Sequence, residues 1–285
     1  MSCGSVLPCR GSTLYFLHTM KSIIQVSLLL LAGYSSDSTT ASKHVVSLHK
    51  VLKRDASPCI EDKKVRYGGD FKSHNYTYFC PAYQFTYDGE VYKIWDILNP
   101  IDIMQIASTV FPIKKTVEQQ IRNYSGEALF SKLTFSSVDV VYADSIKKFA
   151  GRMPEVDMKF CKSKYYFYYT LQADAQAVFN VGFAVNEKGQ IISPFDIPAK
   201  RNYAPLDTTL NVCKVLEIAR KTYPKIDPIA EVTFDYDDKS KRFYWLVSQK
   251  ILNRHAGINT FSQIKIDAAV PSKTEILKGE VSISY

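Results

Sequence analysis

Across residues 206–268 one segment of helical period is followed by three of strict alternation, an order that few folds accept. Val212, Val215, Leu216, Ala219 and Tyr223 recur at helical spacing within residues 206–223, and Pro224 helps to end that run. In residues 230–237, Ala230, Val232, Phe234 and Tyr236 alternate with Glu231, Thr233, Asp235 and Asp237. Phe243, Trp245 and Val247 alternate in residues 242–250, and Ile264, Ile266 and Ala268 in residues 261–268. The pattern predicts one helix laid on an antiparallel sheet. About eighty residues make a marginal core alone, so this unit is expected to lean on the preceding chain.

The preceding chain repeats the theme less cleanly. Strands are expected at residues 76–80 and 83–87, with Asp88-Gly89 turning the latter into 91–97 as a two-residue hairpin. Asn99-Pro100 reads as a helix start, with Ile101, Met104, Ala107 and Phe111 on one face. Pro112 should end or kink that helix, although Val117, Ile121 and Tyr124 keep its period. Further strands are expected over residues 132–142, 164–171 and 177–185, the last with Phe179, Val181, Phe183 and Val185 on one face. Pro194, Pro198 and Pro205 punctuate a connector, where a domain boundary is placed. Phe85-Thr86-Tyr87-Asp88 echoes Phe234-Asp235-Tyr236-Asp237, a hint of duplication.

The C-terminal unit resembles a PepSY domain. The resemblance rests on Ala219-Arg220-Lys221-Thr222-Tyr223-Pro224, Phe234-Asp235-Tyr236-Asp237-Asp238, Arg242-Phe243-Tyr244-Trp245-Leu246-Val247 and the closing Ile266-Asp267-Ala268. It covers residues 206–270, and Ala269-Val270-Pro271-Ser272 stands where the family has a Thr-Gly turn. It implies a small non-catalytic module outside the cytoplasm that binds or inhibits another protein, a protease above all. The fold expected overall is α+β, with antiparallel sheets each packed on a helix, cystatin-like or PepSY-like, in two tandem units. The division is 57–200 for an N-terminal α+β unit and 201–285 for a C-terminal PepSY-like unit.

Met20-Lys21-Ser22 opens a short apolar run over residues 23–32 that exits into small and polar residues, as a signal peptide does. Residues 20–35 are assigned to that leader, 1–19 to an upstream extension of the reading frame and 36–56 to a polar tether. Leu31-Ala32-Gly33-Tyr34 resembles a bacterial lipoprotein signal whose lipidated cysteine is replaced by Tyr34. A phenol cannot form the thioether, so the copy is released, is held by an uncleaved signal, or carries a codon that differs from that of its relatives. The expected location is therefore exported: periplasmic, outer-envelope-associated or secreted, with membrane contact only through an uncleaved leader. Asn75-Tyr76-Thr77 and Asn123-Tyr124-Ser125 match the glycosylation pattern and leave a eukaryotic secreted protein as the minority view.

The formal charge is +8, and half of the excess lies in residues 1–55, from Arg10, Lys21, Lys43, Lys50, Lys53 and Arg54 against Asp37 and Asp55. No concentrated basic stripe remains for phosphates, so nucleic acid is not an expected partner. Beyond the leader stand Cys59, Cys80, Cys161 and Cys213, which allow three connectivities if all pair. Cys59–Cys80 is the preferred disulfide, and Cys213 among apolar neighbours reads equally well as a buried thiol.

No catalytic residue, cofactor or metal is expected. There is no Gly-x-Ser-x-Gly and no His-Glu-x-x-His, and His255 lies in a predicted loop. Asp235, Asp237 and Asp238 read as a polar hairpin tip, lacking the glycine and distal glutamate of a calcium loop. Glu155 with Asp157 reads the same way. Tyr165-Tyr166-Phe167-Tyr168-Tyr169 reads either as a strand buried on both faces or as an exposed surface on which Tyr165, Phe167 and Tyr169 meet a partner or glycan. The expectation is an exported binding module with an unidentified protein partner. The rivals are a secreted enzyme with a pocket between sheet and helix, and a surface adhesion protein.

Overall fold

Alternating residues with one apolar parity make sheets that must bury one face, and this chain builds two of them. The computed structural model describes residue 59 and residues 65–66, 68–69, 82–91, 99–142 and 162–283. The expected leader and tether, the expected strands at 76–80 and 91–97, Cys80, Cys161, Glu155 and Asp157 lie outside the described residues. The described strands are β1 Val65–Arg66, β2 Ala82–Thr86, β3 Ile101–Asp102, β4 Leu133–Val141, β5 Tyr165–Gln172, β6 Val178–Val185, β7 Ile229–Asp237, β8 Arg242–Gln249, β9 Gly257–Asp267 and β10 Thr274–Ile283. The helices are α1 Ala107–Ser125, the short α2 Glu127–Phe130, and α3 Val212–Thr222. The first sheet runs β3-β2-β4-β5-β6 and the second β1-β7-β8-β9-β10. Each is antiparallel apart from one short parallel pair, β2 with β3 and β1 with β7.

The fold is thus α+β, with α1 beside the first sheet and α3 across β8 and β9 of the second. In the second sheet the apolar parity forms two rows, Val232–Val247–Ile264 and Phe234–Trp245–Ile266, by strand register. Val212, Val215, Leu216 and Ala219 of α3 are buried in the same core. Each large side chain so buried contributes about 2 kcal/mol before entropy is subtracted. Phe179 of β6 meets Phe243 of β8 edge-on at 5.3 Å, so both sheets share one core.

Local chemistry moved several boundaries. The helix expected over 206–223 begins only at Val212, because Asp207 accepts from Thr209 N–H in a turn and Asn211 then caps Lys214 N–H at 2.9 Å. Asn99-Pro100 does not start a helix: Ile101–Asp102 pairs with β2, and Asp102 caps a 3-10 turn over Ile103–Ile106 that runs into α1. Pro112 sits inside α1 without ending it. β10, β1 and β3 were not legible in the alternation, the latter two because they are two residues long. After β9, Asp267 Oδ1 accepts from Ala269 and Val270 N–H at 2.9 and 3.0 Å, which builds the turn toward β10.

One short segment joins the sheets. Val65 and Arg66 pair with Val232 and Thr233 of β7, and two residues later Gly68 bridges Phe179 of β6. Gly68 N–H donates to Val178 O at 2.9 Å and Gly68 O accepts from Asn180 N–H at 3.0 Å. A Cβ on Gly68 would lie 1.6 Å from Phe234 O, and one on Gly69, at φ +79°, would lie 2.1 Å from Asn180 O. Only glycine lets this backbone lie between two others.

Further ties cross the sequence at the same level. Cys59 is bonded to Cys213, so the expected Cys59–Cys80 pairing and the free Cys213 thiol are both corrected. Sequence proximity favoured Cys80, but the fold brings Cys59 to the first turn of α3. Asp174, in the β5–β6 turn, accepts from Val212 N–H at 2.7 Å and so supplements the cap of that helix. Lys200 N–H donates to Tyr124 O at 2.8 Å, holding the proline-punctuated connector against the end of α1.

Two outcomes follow for equilibrium urea unfolding. Gly68→Ala should lower stability by about 3 kcal/mol or more, because the new methyl meets backbone that cannot move aside. Cys213→Ser should cost roughly 2–5 kcal/mol under oxidising conditions, with the difference from the native chain vanishing under reductant.

Candidate functional site

The first sheet uses its two faces differently, and the polar one holds the candidate site. Toward α1 point Tyr83, Phe85, Val138, Val140, Phe167 and Tyr169, all buried. The opposite parity carries Gln84, Ser137, Asp139, Tyr166, Tyr168, Thr170 and Asn180. The register of β4 against β5 slips between Phe135 and Ser137, leaving Ser136 as a bulge. A bulge bends its strand and parts it from its neighbour. Beside it lies an open cleft of about 260 Å³ lined by Gln84, Ser136, Ser137, Tyr168, Tyr169, Thr170 and Asn180.

The lining is uncharged and rich in hydrogen-bonding groups. Gln84 Nε2 donates to Ser137 Oγ at 3.4 Å, and Asn180 Nδ2 donates to Gly68 O at 3.3 Å, which fixes the amide beside the junction of the sheets. One carboxyl stands at its margin: Asp139, opposite Gln84 in the ladder, accepts from Tyr168 OH at 2.7 Å through Oδ2. Its Oδ1 is buried and has no hydrogen-bond partner among the described residues. Burial pushes the Asp139 carboxyl up to about 6 against the pull of the Tyr168 hydrogen bond. Burial and the neighbouring Asp139 charge raise the Tyr168 phenol, which therefore stays a donor. Such a set can recognise hydroxyl, amide or peptide groups. It pairs no nucleophile with a base.

Burial decides between the two readings of the aromatic run and goes against Tyr165, Phe167 and Tyr169 as a partner surface. Tyr165, Phe167 and Tyr169 are 6%, 0% and 1% exposed, packed in the core shared with α1. Phe135 fixes Tyr169 edge-on at 5.7 Å, and Phe183 does so from β6 at 6.0 Å. The run is a strand buried on both faces, since Tyr166 is also 0% exposed; of the five, Tyr168 and the backbone level of Tyr169 border the cleft, and Tyr168 alone is not fully buried. The cleft itself was missed because its residues sit on four strands and a bulge. The polar parity of β5 and β6, Tyr166, Tyr168, Asn180 and Gly182, was its one legible trace.

The other candidates fall apart in space. Asp237 is paired with Lys265 Nζ at 2.6 Å, which holds its carboxyl down at about 2, and Asp238 is paired with Lys241 at the β7–β8 turn. His255 N–H donates to Asn259 Oδ1 at 2.9 Å within the β8–β9 loop. In the Asn123 sequon, Ser125 is buried and donates to Ile121 O inside α1. Among the described residues no three His, Cys, Asp or Glu side chains gather in a way that could hold a metal ion, and no helix is long and apolar enough to cross a membrane.

Asp139 gives a pH signature. Its folded value of about 6 exceeds the ordinary 3.8, so the stability gained from the protonated form is complete below 3.8 and is lost as pH rises through 6. The span is at most about 3 kcal/mol. Urea midpoints taken between about pH 4 and pH 7 should fall for the native chain, and Asp139→Asn should flatten that slope. No family model, curated protein or solved structure matches the chain.

Proposed function

We propose that this chain is an exported, non-catalytic binding module that modulates a separate envelope protein, such as a protease. The observation that carries the reading is the open cleft on the first sheet, lined by uncharged amides, hydroxyls and a phenol. Groups of this kind fix the orientation of a polar segment and supply no activated nucleophile. In finer detail, the fold is read as two tandem helix-on-sheet units, cystatin-like in plan and PepSY-like in the second. Two runs support that: α1 is followed by the meander β4-β5-β6, and α3 by β7-β8-β9. The leader at residues 20–35 supports export, with Tyr34 in place of the lipidated cysteine.

The enzyme rival draws on one observation, the Asp139 carboxyl raised to about 6 beside a cleft. That cleft lies on the face away from α1, whereas the rival expected a pocket between sheet and helix. The adhesion reading loses its ground with the burial of Tyr165, Phe167 and Tyr169.

Capture from an envelope extract, with the full chain as bait, tests the proposal. The native chain should retain a stoichiometric protein, and Ser136→Trp with Thr170→Trp, which fills the cleft from exposed or half-buried positions, should lose it. Asp139→Asn should leave capture within about threefold, since the carboxyl stands at the margin. Capture unchanged by the filled cleft, or turnover of a substrate abolished by Asp139→Asn, would overturn the reading.

A further inference from the structure

Sheet edges are open templates, and among the described residues this molecule leaves one long edge without a strand partner. On the first sheet, β3 is two residues long, and β6 is met by Gly68 at Phe179 and by Ile191 at Val185. On the second, β1 is also two residues long. β10 differs. It pairs with β9 without a slip from Thr274 opposite Ile266 to Ile283 opposite Gly257, and it contains no proline. Beyond the reach of β8, which pairs β9 only over Gln263–Asp267, the remainder of β9 and β10 projects as a two-stranded ribbon. Such a ribbon is marginal in water by itself.

β9 and β10 also expose apolar side chains. Ile258, Ile276 and Val281 are 72%, 51% and 38% exposed. Charge then selects the occupant. A two-fold axis that sets two β10 strands antiparallel stands normal to the sheet and keeps every side chain on its own face. Facing residues must therefore have numbers of the same parity. The charges of β10 are Glu275, Lys278 and Glu280. Within the strand, only the pairing centred on Gly279 places opposite charges face to face: Lys278 against Glu280 of the second copy, and the reverse. A centre one residue earlier opposes Lys278 to itself, and one residue later opposes Glu280 to itself.

The same register suits the apolar residues on both faces. Leu277 faces Val281 of the second copy twice over, flanking Gly279, whose free face is covered by the Phe261 ring; a Cβ there would lie 2.4 Å from it. On the other face Ser282, which pairs with Ile258, stands opposite Ile276 of the second copy. Its small side chain leaves Ile258 and that Ile276 room to meet across it.

We propose that the chain self-associates as a two-fold dimer through antiparallel β10–β10 pairing centred on Gly279, joining two second sheets into one. This goes beyond the cleft reading and does not rest on it: the cleft is on the first sheet, and β10 is at the edge of the second sheet opposite the one that meets β6. Sedimentation equilibrium of the full chain over roughly 1–100 µM should show a reversible species of twice the chain mass. Lys278→Glu alone and Glu280→Lys alone each turn two attractive pairs into like-charge pairs and should weaken association about tenfold. The double exchange, Lys278→Glu with Glu280→Lys, should return it to within about threefold of the native chain. Both side chains are exposed, so far-ultraviolet circular dichroism should stay unchanged in all three variants, as should the melting temperature at concentrations where every chain is monomeric. A monomer throughout the range overturns the proposal, as does a dimer indifferent to the single reversals. Monomers that pair through β10 only with a foreign strand or another segment of the chain overturn it equally.

Discussion

An unpaired strand edge is costly to bury, and this fold brings two such edges together at one place. The short stretch from Val65 to Gly69 serves both: it extends the second sheet beside β7 and hydrogen-bonds to β6 of the first. The arrangement depends on Gly68 and Gly69, where backbone of the neighbouring strands occupies the space of a side chain. Once the edges are fixed, Phe179 and Phe243 can close the core across the junction. The Cys59–Cys213 bond and the Asp174 contact add two long-range ties at the start of α3.

The two faces of the first sheet follow from that placement. One face takes α1 and the aromatic residues of β5, so Tyr165, Phe167 and Tyr169 stabilise the interior. The other keeps amides and hydroxyls in its ladder, with a bulge at Ser136 that opens the surface. Asp139 belongs to this second face and is tied to Tyr168, so its charge responds to pH through burial. Binding groups and the sheet junction adjoin through Asn180, which pairs with Gly68 by backbone and side chain. Changes at the junction would therefore reach the cleft through one residue.

At the opposite edge of the second sheet lies the strand proposed for self-association. β10 leaves backbone groups, alternating charges and exposed apolar side chains along one line. The two surfaces are separated by the second sheet, so the proposed assembly through β10 and the proposed capture in the cleft would not exclude each other. A dimer would present two clefts, and any partner with repeated contacts would bind with correspondingly greater avidity.

Elements that bury one face were legible because burial imposes a period. The strands β4 to β9 fall at or near the alternating runs, and α3 falls within its helical one. β10 was not legible: an edge strand with much of its surface in water has no apolar parity to display. Nor was the disulfide, since Cys59 and Cys213 stand 154 residues apart and meet only because β1 joins β7. The burial of both faces of the tyrosine run was one of two readings that the sequence left open, and packing against α1 and β6 chose between them. The cleft required four strands, a bulge and a register that no local pattern encodes. The sequence by itself determined an α+β chain with amphipathic segments in a given order, because periodicity is a local property. Tertiary structure alone decided which edges meet, which cysteines bond and where polar side chains converge, because those are contacts between residues far apart in the chain.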